Sequence, residues 1–273
     1  MWDSKNRHVI LKNKLIVAGS FLLGMILLLA IFVPLCSSYS YMQQNVSIQN
    51  QPSSFAHLFG TDKFGRDIFV RVWYGARISL TVGLISALIN GIIGICYGGI
   101  AGYIGGKTDL FLMRAADILD AIPSLLYVIL IMLVIGSGVR SVIIGICISG
   151  WTDTARIVRG EIMRLKKQEF SLAAKLAGAG PFHILVKHLL PNAWGPVIVN
   201  LTFLVPKAIF TESFLSFLGV GIAAPAASLG TLIQDARSQM QIYPYQMIYP
   251  MLVLCVLILA INLIGFGMEQ EGV

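Results

Sequence analysis

From Ile78 to Gly106 the chain reads ISLTVGLISALINGIIGICYGGIAGYIGG, without one charged residue. A membrane-spanning helix needs about 20 mostly apolar residues, so this stretch predicts a span. Within it, Gly98 and Gly102 have the G-x-x-x-G spacing that lets two helices approach closely. The same pattern recurs on both sides. Leu15 to Cys36 is uncharged and follows Lys5, Arg7, Lys12 and Lys14. That run exceeds the roughly 7–15 residues of a signal-peptide core and lacks an A-x-A-like cleavage site. Leu35 is also too bulky for a lipoprotein signal before Cys36, so the run reads as a retained first span. Ala121 to Val139 predicts a third span. Ser141 to Thr152 is apolar but short, and Asp153 and Arg156 stretch a fourth span to Val158. His188 to Leu218 gives the fifth, through Lys207 and Glu212, and Ser238 to Met268 contains the sixth.

Composition leads to the same class. Of 273 residues, 56% are hydrophobic and 12% charged, against roughly 45–50% and about 25% in soluble domains. That is too little polar material to coat a globular core. A soluble enzyme, a disordered chain and a nucleic-acid reader are excluded. The net charge of +7 comes from basic residues lying between apolar runs, as in an inner-membrane protein with cationic cytoplasmic flanks. The segment from Arg159 to Lys187 carries six Lys or Arg against two Glu. It is expected inside, with both termini, and residues 37–77 and 219–245 outside. Cys36, Cys96, Cys147 and Cys255 lie far apart in apolar stretches and read as small core residues, not a disulfide framework or a zinc site.

Few stretches carry chemistry. Gly102-Tyr-Ile-Gly-Gly106-Lys107-Thr108 nearly spells a phosphate-binding loop. Ala101 stands where that motif needs its first Gly, and a membrane helix precedes it instead of a strand. It reads as a Gly-rich helix end with an interfacial Lys. The segment Glu169-Phe170-Ser-Leu172-Ala173-Ala174-Lys175-Leu176-Ala177-Gly178-Ala-Gly180-Pro181 predicts a short helix ended by glycine and a second one started by proline. Phe170, Ala173, Ala174 and Ala177 share one stripe at helical spacing. This pattern fits a helix with small residues presented to a partner's groove, and equally an amphipathic helix lying on the lipid surface. Asp62, Arg66 and Asp67 among Gly60 and Gly65 predict a turn held by side-chain hydrogen bonds. That loop is either a platform that meets a delivery protein or a fold that packs on helix ends. Arg114 and Asp117 have the spacing of an intrahelical pair. Glu212 lies in an apolar run, where acids usually face the bundle or water.

The segment resembles the "EAA" signature of permease subunits in binding-protein-dependent ABC importers. Ala173, Ala174, Gly178, Leu190 and Pro191 fall in register, while Leu172 stands at the signature's Glu and His188 at its Ile. A second block, His57-Leu-Phe-Gly60-Thr61-Asp62-Lys-Phe-Gly65-Arg66-Asp67 followed by Tyr74-Gly75-Ala76-Arg77-Ile78-Ser79-Leu80, is similar to the stretch after span one in the C-type permeases of dipeptide, oligopeptide and nickel importers. Gly102 to Gly106, Met113-Arg114 with Asp117, Ala121-Ile122-Pro123 and Glu212 to Gly219 fit the same group, although Leu229 stands where it often has Trp.

The resemblance implies an all-α membrane protein: six transmembrane helices of the type I ABC importer permease fold, with a short cytoplasmic coupling helix. Residues 1–76 would hold the tail, first span and outer loop, and residues 77–273 a five-helix core with the signature loop at 159–191. Phe170, Leu172, Ala173, Ala174, Leu176, Ala177, Gly178, Leu190 and Pro191 would meet an ATPase. Gly60, Thr61, Asp62, Gly65, Arg66 and Asp67 would form the outer loop, with Asp117, Pro123 and Glu212 as pathway or gate candidates. The implied partners are a second permease subunit, two ATPase subunits, an external substrate-binding protein and the lipid bilayer. ATP and magnesium would sit in the ATPases, leaving this chain with no catalytic, cofactor or metal site. Short peptides are the expected cargo, with nickel or a metal chelate as the alternative. A self-sufficient secondary transporter is a rival of another class, but no internal repeat and few intramembrane charges support it. A membrane-embedded enzyme lacks an H-E-x-x-H or similar cluster.

Overall fold

The computed structural model describes residues 13–271, so the cationic flank formed by Lys5, Arg7 and Lys12 lies outside the described residues. Among those described, the chain is helical, with one isolated bridge between Thr61 and Asp67. Five helices are long and apolar enough to cross a membrane, and a bent helix pair supplies a sixth span.

α1, Lys14–Cys36, starts at Asn13, whose side chain accepts from the Leu15 amide at 2.9 Å. The same side chain donates to Glu271 Oε1 at 3.0 Å, tying the first span to the end of the last. α2, Ile68–Ile104, begins ten residues before the uncharged run, because Asp67 caps it through the Val70 amide at 2.8 Å. At 1.5 Å per residue its length is about 55 Å, more than the roughly 40–45 Å of a whole bilayer. It runs unbroken through positions 76 and 77, so the outer loop and the helical core share it.

The third span differs most from a straight reading. α3, Gly106–Asp120, and α4, Ser124–Ile135, meet at 73°. Pro123 has no amide to donate and disfavours helical geometry at Ile122, so the helix must break here. α5, Val139–Ser149, and α6, Thr152–Leu165, form the fourth span across Gly150 and Trp151. A cluster of short elements follows: α7, Glu169–Leu176, α8, Pro181–Ile184, a π-turn at Leu185–Leu189, and α9, Leu190–Asn192. The fifth span, α10, Trp194–Phe217, therefore starts six residues later than the sequence suggests. Short α11, Leu229–Arg237, opens on a capping box between Ser228 and Thr231, and α12, Tyr245–Gln270, completes the bundle.

Glycine sets the tightest helix contact. A Cβ added at Gly94 would lie 2.5 Å from Thr154 Cβ, and one at Gly102 would lie 2.7 Å from the Arg159 carbonyl, with Ala155 equally close to Gly98. Gly94, Gly98 and Gly102 recur every four residues, so they form one seam along α2 that only α6 can fill. The cysteines are not core residues: Cys36, Cys96 and Cys255 are exposed and Cys147 is half-buried.

Candidate functional site

Two ends and one flank of the bundle carry the chemistry. The Gly60 end holds residues 37–67 and 218–244, and the Ala173 end holds residues 159–192.

At the Gly60 end nearly every polar group has a partner. Asp62 Oδ1 accepts from the amides of Phe64 at 2.8 Å and Arg66 at 3.0 Å, and its Oδ2 accepts from Arg66 Nε at 2.6 Å. Gly60 and Gly65 take φ of +74° and +68°, the left-handed turns that glycine makes without cost. Arg66 and Arg71 both donate to Asp235 on α11, at 3.0 and 3.3 Å, and Arg71 also donates to the Tyr41 carbonyl at 3.2 Å. Fully buried Thr61 donates to the Ile48 carbonyl and accepts from the Gln51 amide at 2.9 Å. Asp67 receives the buried His57 Nδ1 at 2.7 Å while capping α2. Gln246 on α12 donates to Asn50 Oδ1 and to the Thr61 carbonyl, at 2.8 and 3.1 Å. All six loop residues singled out in the sequence thus build one folded loop packed onto helix ends. Beside it lies a cleft of about 540 Å³, floored by the small-residue run from Gly219 to Ala226.

The Ala173 end has the opposite character. In α7, Phe170 and Ala174 turn inward against an apolar cluster that includes Ile162, Leu165 and Leu189. Leu172, Ala173, Leu176 and Ala177 face outward, and Leu176 is 90% exposed. Phe182, just past the turn, is 78% exposed. The outward face is therefore rotated from the stripe that spacing alone suggests, and Leu172 extends it with apolar surface. Gly178 stands past the end of α7 with φ +84° and nothing near the position of a Cβ. The Gly178 amide bonds the Lys175 carbonyl and the Ala179 amide bonds the Ala174 carbonyl, both at 3.1 Å, closing the helix in a Schellman turn. Gly178 terminates the helix and does not sit on its face. Leu190 is half-buried against the same cluster, and Pro191 is exposed in the first turn of α9.

The flank runs along α3, α6 and α10. Asp117 accepts from Arg156 at 3.1 Å, closer than its neighbour Arg114 at 3.6 Å. Asp120 takes a second Arg156 nitrogen at 2.6 Å and the Thr152 hydroxyl at 2.7 Å. Lys207 on α10 reaches Asp153 at 2.7 Å, and Arg159 grips Asp109 with two nitrogens. Pro123 lies at the break beside these pairs and lines a cavity of about 270 Å³ with Asn90, Asp120, Asp153 and Lys207. Glu212, by contrast, is fully buried. Its carboxylate accepts from the hydroxyls of Ser79 at 3.0 Å, Ser213 at 3.2 Å and Ser216 at 2.8 Å. Ser79 in turn accepts from the Leu229 amide at 3.3 Å, so Glu212 pins α2, α10 and the start of α11 together. Among the described residues no group of three or more His, Cys, Asp or Glu is placed to hold a metal ion.

Several of these partners carry no signal in the sequence. Asp235 lies 169 residues from Arg66, and Asp153 lies 54 residues from Lys207. The one available cue was position: Lys207 is a cation inside an apolar run, which requires a partner or water.

Residues 94–270 match the family model described as "Binding-protein-dependent transport system inner membrane component", and residues 6–52 match the N-terminal transmembrane domain of oligopeptide transport permease C. The oligopeptide transport system permease protein OppC of Bacillus subtilis is 46% identical over 258 residues, covering 94% of this chain and 85% of that protein. The dipeptide permease protein DppC of the same organism is 45% identical, covering 95% and 81%. OppC of Escherichia coli K12 is 37% identical over 99% of this chain and 90% of its own length. A chain of the MetNI methionine ABC transporter, solved in inward-facing conformations, superposes with a TM-score of 0.58 at 19% identity, over 73% of this chain and 93% of that one. That structure shares the fold of a type I importer permease. With the family model matching more than half of its length and relatives of this identity spanning nearly all of it, the chain belongs to the inner-membrane components of binding-protein-dependent transport systems, as a permease subunit of an ABC transporter.

Proposed function

We propose that this permease imports short peptides and forms half of the translocation pathway, paired with a second permease subunit. The observation that carries the cargo is the relatives' own role: an oligopeptide and a dipeptide permease, each similar along almost the whole chain. Two ATPase subunits bind ATP and magnesium and drive the cycle. One of them docks on the outward face of α7, because Leu172, Leu176 and Phe182 expose apolar surface beyond what the chain can cover itself. The external binding protein meets the Gly60 end, whose pinned loop offers a fixed platform. Both termini lie in the cytoplasm, in line with the basic segment 159–187. The flank of half-exposed charges on α3, α6 and α10 faces the pathway, since charges at membrane depth avoid lipid and line water or protein.

Uptake of labelled trialanine by cells with and without this subunit tests the cargo. Loss of uptake on deletion, restored by the intact gene, is expected; unchanged trialanine uptake with loss of nickel uptake overturns the peptide reading. Orientation is tested with the native cysteines replaced by serine. Phe55→Cys should react with an impermeant maleimide in intact spheroplasts, and Leu176→Cys only after lysis. The reverse labelling overturns the topology.

A further inference from the structure

Lys207 occupies an unusual position. It is the fourteenth residue of the 24 in α10, close to the middle of the span, and its side chain is 63% exposed. Phe210 and Phe214 follow at one and two turns on the same face, 61% and 39% exposed, with their rings nearly parallel and centroids 6.2 Å apart. All other large side chains between Leu204 and Ser216 on this helix turn inward. The stripe therefore combines one cation with two aromatic faces, and its Lys207 lines the 270 Å³ cavity at the Pro123 break while the two rings lie outside that lining. Asn90, only 3% exposed, lines the same cavity and leaves its Oδ1 without a hydrogen-bond partner, an acceptor that suits a peptide's backbone N–H and not its carboxylate.

The charges around this cavity are not equally free. Asp120 is engaged by Arg156 and Thr152, and Asp153 by Lys207 at 2.7 Å and Arg156 at 3.6 Å. Lys207 has three donors, and among the described residues it spends one, on Asp153. A cargo ammonium would have to displace an arginine from a carboxylate. A cargo carboxylate has only to share the lysine. The cavity is also smaller than the roughly 300–1,000 Å³ of whole-ligand sites, so it suits one end of an extended cargo.

Resting on the peptide reading above, we propose that Lys207 receives the C-terminal carboxylate of a peptide in transit, while Phe210 and Phe214 carry its terminal side chain. The test uses the assembled complex in proteoliposomes, with trialanine and saturating binding protein. Lys207→Gln should lower the maximal uptake rate at least tenfold and leave the half-saturating concentration of binding protein unchanged, because delivery occurs at the far Gly60 end. Lys207→Arg should recover the rate to within threefold. Asp153→Asn, which releases the ammonium, should raise uptake. Equal losses in Lys207→Gln and Asp153→Asn mean that the pair is only a strut between α6 and α10, and the proposal falls. Unchanged uptake in Lys207→Gln overturns it as well. If the unaltered complex moves no trialanine, the peptide reading itself fails, an outcome distinct from either.

Discussion

The two ends of this molecule solve opposite problems. At the Gly60 end, His57, Thr61, Asp67 and Arg71 are each at most 6% exposed and hydrogen-bonded within the chain. At the Ala173 end, Leu172, Leu176 and Phe182 are 51–90% exposed with nothing over them. A polar loop that satisfies itself is finished when the chain folds. An apolar helix face left open is, on the docking proposed above, finished by another protein. Stability should therefore reside at the first end and assembly at the second, and substitutions can separate the two.

The largest effect is expected from Asp67→Ala. It removes the α2 cap and leaves buried His57 without its acceptor, at a cost of about 3 kcal/mol. Thermal aggregation of the detergent-purified subunit should shift markedly, whereas ATPase co-purification at low temperature should not. Loss of docking with unchanged stability would erase the contrast between the ends. Next is Leu176→Ser. A leucine buried by a partner contributes about 1.5–3 kcal/mol, so ATPase retention should fall about tenfold or more. The aggregation temperature should stay put, and a drop there would mean that α7 belongs to the core.

Gly178 sharpens the comparison further. Forcing a branched side chain into its left-handed turn costs about 1–2 kcal/mol, so Gly178→Val should fray α7 and weaken docking up to about tenfold. Gly178→Asn should be milder, because asparagine tolerates this backbone region. Circular dichroism is too coarse for eight residues; pull-down of the ATPases in both variants is the measurement. Equal losses would point to crowding at a groove and not to backbone strain. The smallest effect belongs to Lys175→Ala, an exposed residue, expected within about 0.5 kcal/mol. A docking loss larger than that of Leu176→Ser would move the contact surface to the charged side of α7.

The sequence reveals where apolar runs lie but not their direction. Four spans were legible from uncharged length, the fourth and fifth only by reading through Asp153, Arg156, Lys207 and Glu212, and the third was read as straight. Hydropathy summed over Ala121 to Val139 is insensitive to the 73° turn that Pro123 imposes. α2 starts earlier than its uncharged core because Arg71, Arg77 and the aromatic residues between them look like loop until Asp67 is seen as a cap. The small residues of α7 were visible as a stripe, but the inward face is set by Phe170 and Ala174 meeting a cluster built from α6 and the π-turn. Glu212 was visible as an intramembrane acid. Its confinement depends on Ser79, 133 residues away, which no local pattern announces.

The seam of Gly94, Gly98 and Gly102 has a mechanical meaning. With glycine on the α2 side, little but backbone and the near ends of Thr154 and Ile162 lies between α2 and α6, so this close contact holds the two helices together as one beam. One extremity of that beam is Asp67, inside the pinned loop. Near the other, Lys166 bonds the Tyr103 carbonyl shortly before the chain enters α7. On the function proposed above, a tilt imposed at the loop would reach the start of α7 along this seam, as a lever's throw rather than through the cargo's path.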